Sequence, residues 1–195
     1  MADVVSTAFW NVPNVLTISR VPLTILLCTF IELRLWPAAL IVFAVAAVTD
    51  WIDGWWARRF QQMSSFGRVF DPLTDKVLSG SAFIFLVAVP DSAMQAWMAA
   101  VVIGRELLIT GVRGYVESLG KKFGADWFGK LKTILQCSWL LAVLTHLTIH
   151  NQSWASDFEG PVEVLHYGLL YAMLAATVLS GLQYCSKAYQ LLRPG

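Results

Sequence analysis

Six long apolar stretches, at roughly 14–33, 37–57, 73–90, 93–112, 132–149 and 161–185, limit what this chain can fold into. Each is close to the ~20 residues that a helix needs to cross a bilayer. In lipid the backbone must satisfy its own hydrogen bonds, so stretches of this length predict helices rather than open sheets. Composition agrees: of 195 residues, 57% are hydrophobic and only 14% charged, too apolar for a typical soluble domain and too long for a single anchor. The expectation is an all-α integral membrane protein, one domain over residues 1–195. It would be a six-transmembrane-helix bundle preceded by a short N-terminal interfacial segment at 3–12, where Val4, Val5, Phe9, Trp10 and Val12 suit the membrane surface. No repeat, low-complexity tract or soluble linker interrupts it.

Charge placement orients the bundle. Of fourteen Lys and Arg, Arg34 alone falls in an outer connection and Arg105 falls mid-helix. The others sit at Arg20, on the second-to-third connection (Arg58, Arg59, Arg68, Lys76), on the fourth-to-fifth (Arg113, Lys121, Lys122, Lys130, Lys132) or at the C-terminal end (Lys187, Arg193). The positive-inside rule then puts both termini in the cytoplasm. The N-terminal stretch lacks the basic region and cleavage site of a secretory signal. With no transit peptide apparent, a bacterial inner membrane is the expected location. Cys28, Cys137 and Cys185 are far apart within apolar stretches and read as packing residues. His146, His150 and His166 fall toward the outer end and are expected at the interface. Trp97, Trp127 and Trp154 suit an aromatic belt.

Against this apolar background stand four carboxylates. Asp50 and Asp53 are spaced i, i+3, and Asp71 and Asp75 are spaced i, i+4, so each pair shares one helix face. An ionised carboxylate well inside a bilayer costs roughly 2.5–3.5 kcal/mol on insertion scales. Bound cations would offset that cost, and an all-carboxylate set suits hard divalent ions, two of them for four acids. The alternative is ion pairing between helices, but Arg58 and Lys76 are the only obvious local bases. Asp50, Asp53, Gly54, Ala57 and Arg58 fall at i, i+3, i+4, i+7 and i+8, the positions an ordinary amphipathic helix gives to its core. Gly54 and Ala57 leave room for close approach, Gly67 does the same one turn before Asp71, and Arg58 suits a phosphate. Together these describe a site for a nucleotide diphosphate.

A second set of residues is basic. Glu106, Thr110 and Arg113 share one helix face, and Gly129, Lys132, Thr133 and Gln136 share another. Cationic and hydroxyl groups on neighbouring helices make a pocket for a phosphate-bearing acceptor, with Arg113, Lys130, Lys132 and Thr133 as its candidates. Lys121 and Lys122 are read instead as holding anionic headgroups. Arg105 either joins the pocket or pairs with a carboxylate inside the bundle.

The pattern Asp50-x-x-Asp53-Gly54-x-x-Ala57-Arg58-x(8)-Gly67-x-x-x-Asp71-x-x-x-Asp75 resembles the signature of the CDP-alcohol phosphatidyltransferase family at every defined position. The resemblance implies a six-helix membrane enzyme, usually a homodimer, that cleaves a CDP-linked lipid with two Mg²⁺ or Mn²⁺ ions and transfers the phosphatidyl group to an alcohol, releasing CMP. It implies that Asp50, Asp53 and Asp71 hold one ion and Asp50, Asp71 and Asp75 the other. Asp75 would also act on the acceptor hydroxyl. Gly54, Ala57, Arg58 and Gly67, with Asn14, would bind the CDP moiety.

Three further segments resemble the branch of that family that takes CDP-diacylglycerol and glycerol 3-phosphate. They are Pro13-Asn14-Val15-Leu16-Thr17-Ile18-Ser19-Arg20, Arg105-Glu106-x-x-x-Thr110-x-x-Arg113 and Gly129-Lys130-x-Lys132-Thr133. A sister transferase with serine, inositol phosphate or phosphatidylglycerol as acceptor would share the aspartates and differ in the acceptor pocket. A cation carrier is the rival of another class. It would be expected to show acidic or broken-helix positions near the midplane and often a repeat, and it would leave Gly54, Ala57 and Arg58 without a use. Membrane lipids are expected partners and nucleic acid is not.

Overall fold

The computed structural model describes residues 12–60, 65–120, 127–150, 152 and 156–192. Among the described residues there are six α-helices and no strand. They are α1 (Val12–Glu32), α2 (Trp36–Phe60), α3 (Ser65–Val87), α4 (Ala96–Ser118), α5 (Trp127–Ile149) and α6 (Ser156–Leu192), with a 3-10 turn at Pro90–Ser92 between α3 and α4. Every helix runs past its apolar stretch at one end or both. Backbone hydrogen bonding makes the helix, so the polar segment from Asp50 to Arg58 continues α2 instead of ending it. The interfacial segment expected at 3–12 lies, apart from Val12, outside the described residues.

Two helical segments, Trp127–Ile149 and Asp157–Leu191, are long and apolar enough to cross a membrane, and Trp36–Asp50 is a shorter apolar helix. At 37 residues α6 is about 55 Å long, well beyond the hydrocarbon thickness of a bilayer. The charged residues of α2, α3 and α4 interrupt their apolar runs.

The chain forms two compact units, Met1–Leu86 and Val87–Gly195. In the first, α1 and α2 pack as a helical hairpin with Leu27, Ile31, Ala39, Phe43 and Ala46 buried. Arg34 closes α1 in the left-handed conformation (φ 56°), and the Leu35 N–H donates to the Phe30 carbonyl at 2.8 Å. That is the six-to-one bond of a Schellman cap, with arginine where glycine is usual. Helix α3 lies beside α1 along a groove lined by Val21, Cys28, Val77 and Phe85.

In the second unit α6 packs against both α4 and α5. Trp139, Leu140, Val143 and Leu144 of α5 and Leu170 and Met173 of α6 are fully buried. The turn before α4 is tied in as well. The Ser92 hydroxyl donates to the Val89 carbonyl at 2.7 Å, and the Ser92 carbonyl lies 2.9 Å from His166 Nε2.

Here the structure corrects the interfacial reading of the histidines. His146 and His166 are buried, stacked with ring centroids 5.0 Å apart, and Trp139 lies beside His166. His150 follows one turn after His146 and pairs through Nδ1 with Glu159 at 2.7 Å. The α5–α6 contact runs along these faces to the end of the helices, so it encloses side chains that length alone would place in headgroups. The three cysteines are free; Cys28 is buried, Cys137 half-buried and Cys185 exposed. Trp97 and Trp127 are exposed, as a belt requires, and Trp154 lies outside the described residues.

Between helices in lipid, burial gives little hydrophobic gain, so close packing carries the stability of the α5–α6 contact. Leu144→Ala, at a fully buried position, is expected to cost about 2 kcal/mol, near the low end for such truncations because the transfer contribution is reduced. Val164→Ala, on the exposed face of α6, should leave stability unchanged. Unfolding midpoints in detergent test this, and equal midpoints for the two variants would contradict it.

Candidate functional site

The hairpin connection brings α1 and α2 side by side, so residues equally distant from Leu35 become neighbours. Arg20 and Asp50 are such a pair: Arg20 Nη2 donates to Asp50 Oδ1 at 2.6 Å. The arginine side chain is 2% exposed and the carboxylate 50% exposed. Thr24 sits one turn on and donates to the Arg20 carbonyl at 2.8 Å. By sequence Arg58 and Lys76 are the only obvious local bases for the acids, and Arg20, at the end of the Pro13–Arg20 element, is a topological charge. The missed signal was the hairpin, since a partner thirty residues away becomes local once two helices fold back.

Asp75 lies on α3, half-buried, with the Ser79 hydroxyl donating to its main-chain carbonyl at 3.0 Å. Asp53, Gly54, Ala57 and Arg58 on α2, Gly67 and Asp71 on α3 and Asn14 on α1 have their side-chain placement outside the described residues. Among the described residues no three His, Cys, Asp or Glu converge on a point.

The donor set fits a hard divalent ion. All four candidate ligands offer carboxylate oxygens, the preference of Mg²⁺ and Mn²⁺. Asp50 keeps half its side chain open although Arg20 holds one oxygen, so the pair orients the acid without covering it.

The second unit gathers a polar cluster between α4, α5 and α6. Glu106 Oε1 accepts from Arg105 Nη1 at 3.1 Å and also from Lys132 Nζ, which reaches it from α5. Arg105 Nη2 donates to the Ser180 hydroxyl at 3.0 Å. The Arg105 guanidinium carbon lies 5.4 Å from the centre of the Tyr184 ring, and that of Arg113 lies 6.0 Å from it. Of the two alternatives left open for Arg105, the carboxylate pairing is realised, and it is realised inside the group that also contains Lys132 and Arg113.

The expected acceptor residues therefore divide. Arg105, Arg113 and Lys132 are drawn together by Glu106 and Tyr184. Lys130 and Thr133 are exposed on the first turns of α5, and the Thr133 hydroxyl donates to the Gly129 carbonyl at 3.2 Å. Thr110 is exposed and turned to the Glu106 carbonyl at 2.7 Å. Helical spacing showed which residues share a face; it could not show that Glu106 holds the lysine, or that Ser180 and Tyr184 of α6 complete the cluster. A buried serine beside Gly181 and a buried tyrosine three residues after it carry no signal of their own in an apolar helix.

The arrangement offers exposed acid in one unit and gathered cations in the other. Comparison with known proteins agrees with that chemistry. The CDP-diacylglycerol–glycerol-3-phosphate 3-phosphatidyltransferase of Bacillus subtilis (strain 168) is 32% identical, the match covering 94% of this chain and 98% of that protein. The proteins of the same name from Escherichia coli (strain K12) and Shigella flexneri serotype 5b (strain 8401) are each 35% identical, over 92% of this chain and 95% of theirs. The CDP-alcohol phosphatidyltransferase family matches residues 10–180, across both units and every aspartate of the signature, and the chain belongs to that family.

Proposed function

We propose that this chain transfers the phosphatidyl group of CDP-diacylglycerol to sn-glycerol 3-phosphate, giving phosphatidylglycerol phosphate and CMP. The observation that carries the reading is the complete aspartate signature on α2 and α3 of a chain that relatives of that name match over more than nine-tenths of its length. The match of one family across residues 10–180 supports treating both units as one membrane domain. The apolar stretches and the charge bias support six spans, with both termini and the aspartates on the cytoplasmic side of a bacterial inner membrane. A homodimer is part of the same proposal.

Roles divide by unit. In the first, Asp50, Asp53, Asp71 and Asp75 would hold two Mg²⁺ or Mn²⁺ ions, and Asn14, Gly54, Ala57, Arg58 and Gly67 the CDP moiety. When bound, the ions supply neutralising charge to the diphosphate and to the departing CMP oxygen. Arg20 orients Asp50 by holding one of its carboxylate oxygens. Asp75 would accept the hydrogen bond of the acceptor hydroxyl, direct that oxygen at phosphorus and take up its proton as the new P–O bond forms and the bond to CMP breaks. No Ser, Cys or His lies at a defined position of the motif to form a covalent intermediate, which favours direct displacement. In the second unit, Arg113, Lys130 and Lys132, with Arg105 and Thr133, would bind the acceptor phosphate.

Metal dependence is the first test. Excess EDTA should abolish CMP release by the purified chain, and Mg²⁺ or Mn²⁺ should restore it; full turnover in the chelator would remove the two-metal reading. Separate roles for the acids give a second. Asp71→Asn is expected to weaken metal and CDP-lipid binding together. Asp75→Asn should lower kcat while keeping more of the nucleotide affinity, and equal losses of affinity in both would deny Asp75 its own role. The acceptor is tested by Arg113→Ala. A charged hydrogen bond to phosphate is worth roughly 1.5–3 kcal/mol, so KM for glycerol 3-phosphate should rise on the order of ten- to a hundredfold. KM for CDP-diacylglycerol should change far less. A preference of the unmodified chain for serine or inositol phosphate would assign it to a sister activity.

A further inference from the structure

Tyr184 stands where the cationic side chains of the second unit meet. Its ring is 4% exposed, and both Arg105 and Arg113 lie within cation–π distance of it, at 5.4 and 6.0 Å. Those arginines are two helical turns apart on α4, about 12 Å along its axis. Extended toward solvent they would not address one ligand group. Leaning on one ring, they are brought to a common place. The stem of Arg105 reaches the ring across Gly181, where a Cβ would stand 3.3 Å from Arg105 Cγ. The neighbouring Ser180 hydroxyl takes one of its N–H bonds.

The same tyrosine also fixes the entry of α5. A Cβ on Gly129 would stand 2.8 Å from the Tyr184 hydroxyl oxygen, closer than real contacts allow, and 3.4 Å from its Cε2. Gly129 therefore lets the hydroxyl touch the backbone from which Lys130 and Lys132 project. Ile109, Val116 and Ala188 pack around the ring, with Val112 and Leu191 beside them, so it cannot swing aside at little cost.

We infer that Tyr184 is a positioning residue for the acceptor site: its face sets Arg105 and Arg113 for a phosphate monoester, and Gly129 gives its hydroxyl end the room to hold that place against α5. The inference rests on the glycerol 3-phosphate reading above. A bulky aromatic in a helix–helix contact is ordinarily core packing, so the test needs readouts that packing alone would not move.

The experiment uses the full chain in detergent with Mg²⁺ and CDP-diacylglycerol, varying glycerol 3-phosphate. Tyr184→Leu keeps an apolar side chain and removes the π face. Its KM for glycerol 3-phosphate should rise roughly five- to thirtyfold, the size of one or two lost cation–π contacts, with KM for CDP-diacylglycerol unchanged. Tyr184→Phe keeps the face and should stay within about twofold of the unmodified chain. Gly129→Ala should raise the same KM by pressing on the hydroxyl. Adding Tyr184→Phe to Gly129→Ala should reverse that rise, because the oxygen nearest the new methyl is gone. This pair decides the matter even if Tyr184→Leu does not accumulate folded. Parallel loss for both substrates in Tyr184→Leu, or no rescue in the double variant, would reduce Tyr184 to core packing and overturn the inference. If Arg113→Ala raises KM for glycerol 3-phosphate while the Tyr184 and Gly129 variants do not, this inference fails and the acceptor reading stands. If the unmodified chain shows no saturable use of glycerol 3-phosphate, both fall.

Discussion

A guanidinium withdrawn from solvent and a carboxylate left half open meet at 2.6 Å between Arg20 and Asp50, and the chemistry proposed for the first unit depends on that asymmetry. Burying an unpaired charge is costly, so Arg20 needs an acid. The hairpin supplies one from the start of the aspartate signature. The cation is enclosed and the acid is not, so the pair leaves the carboxylate accessible. The second unit places its charges differently. Glu106, with a side chain 13% exposed, sits between Arg105 and Lys132, at 11% and 5%. Here acid and bases are enclosed together, while Lys130 nearby is exposed.

What the sequence made legible follows from which forces are local. Helix existence depends on apolar length and backbone hydrogen bonding, and all six segments contain a helix, with ends shifted where polar residues carry it on. That Asp50 and Asp53, and Asp71 and Asp75, each share a helix face was legible, because α2 and α3 run through both pairs. The partner of Asp50 was not, because Arg20 becomes adjacent only through the α1–α2 turn. Tyr184 and Ser180 were silent for the same reason: their partners lie on α4 and α5. The histidines misled through an assumption about depth. Position near a helix end was taken as exposure, whereas His146 and His166 face each other across a contact that continues to that end.

Helices in lipid gain little from burying apolar surface against one another, so their register must come from shape and from polar contacts. In the second unit both come from the same residues. Gly181 lets the stem of Arg105 cross α6, and Ser180 next to it accepts the guanidinium N–H at 3.0 Å. Gly129 lets the Tyr184 hydroxyl touch α5, and Lys132 on that helix reaches Glu106 on α4. Sliding α4 along α6 by one turn would carry Arg105 away from both Ser180 and Gly181 and set its charge against apolar side chains. An apolar interface would tolerate such a slip far better, since one leucine can replace another. Arg105 and Lys132, both proposed for phosphate binding, thus also penalise a misregistered bundle.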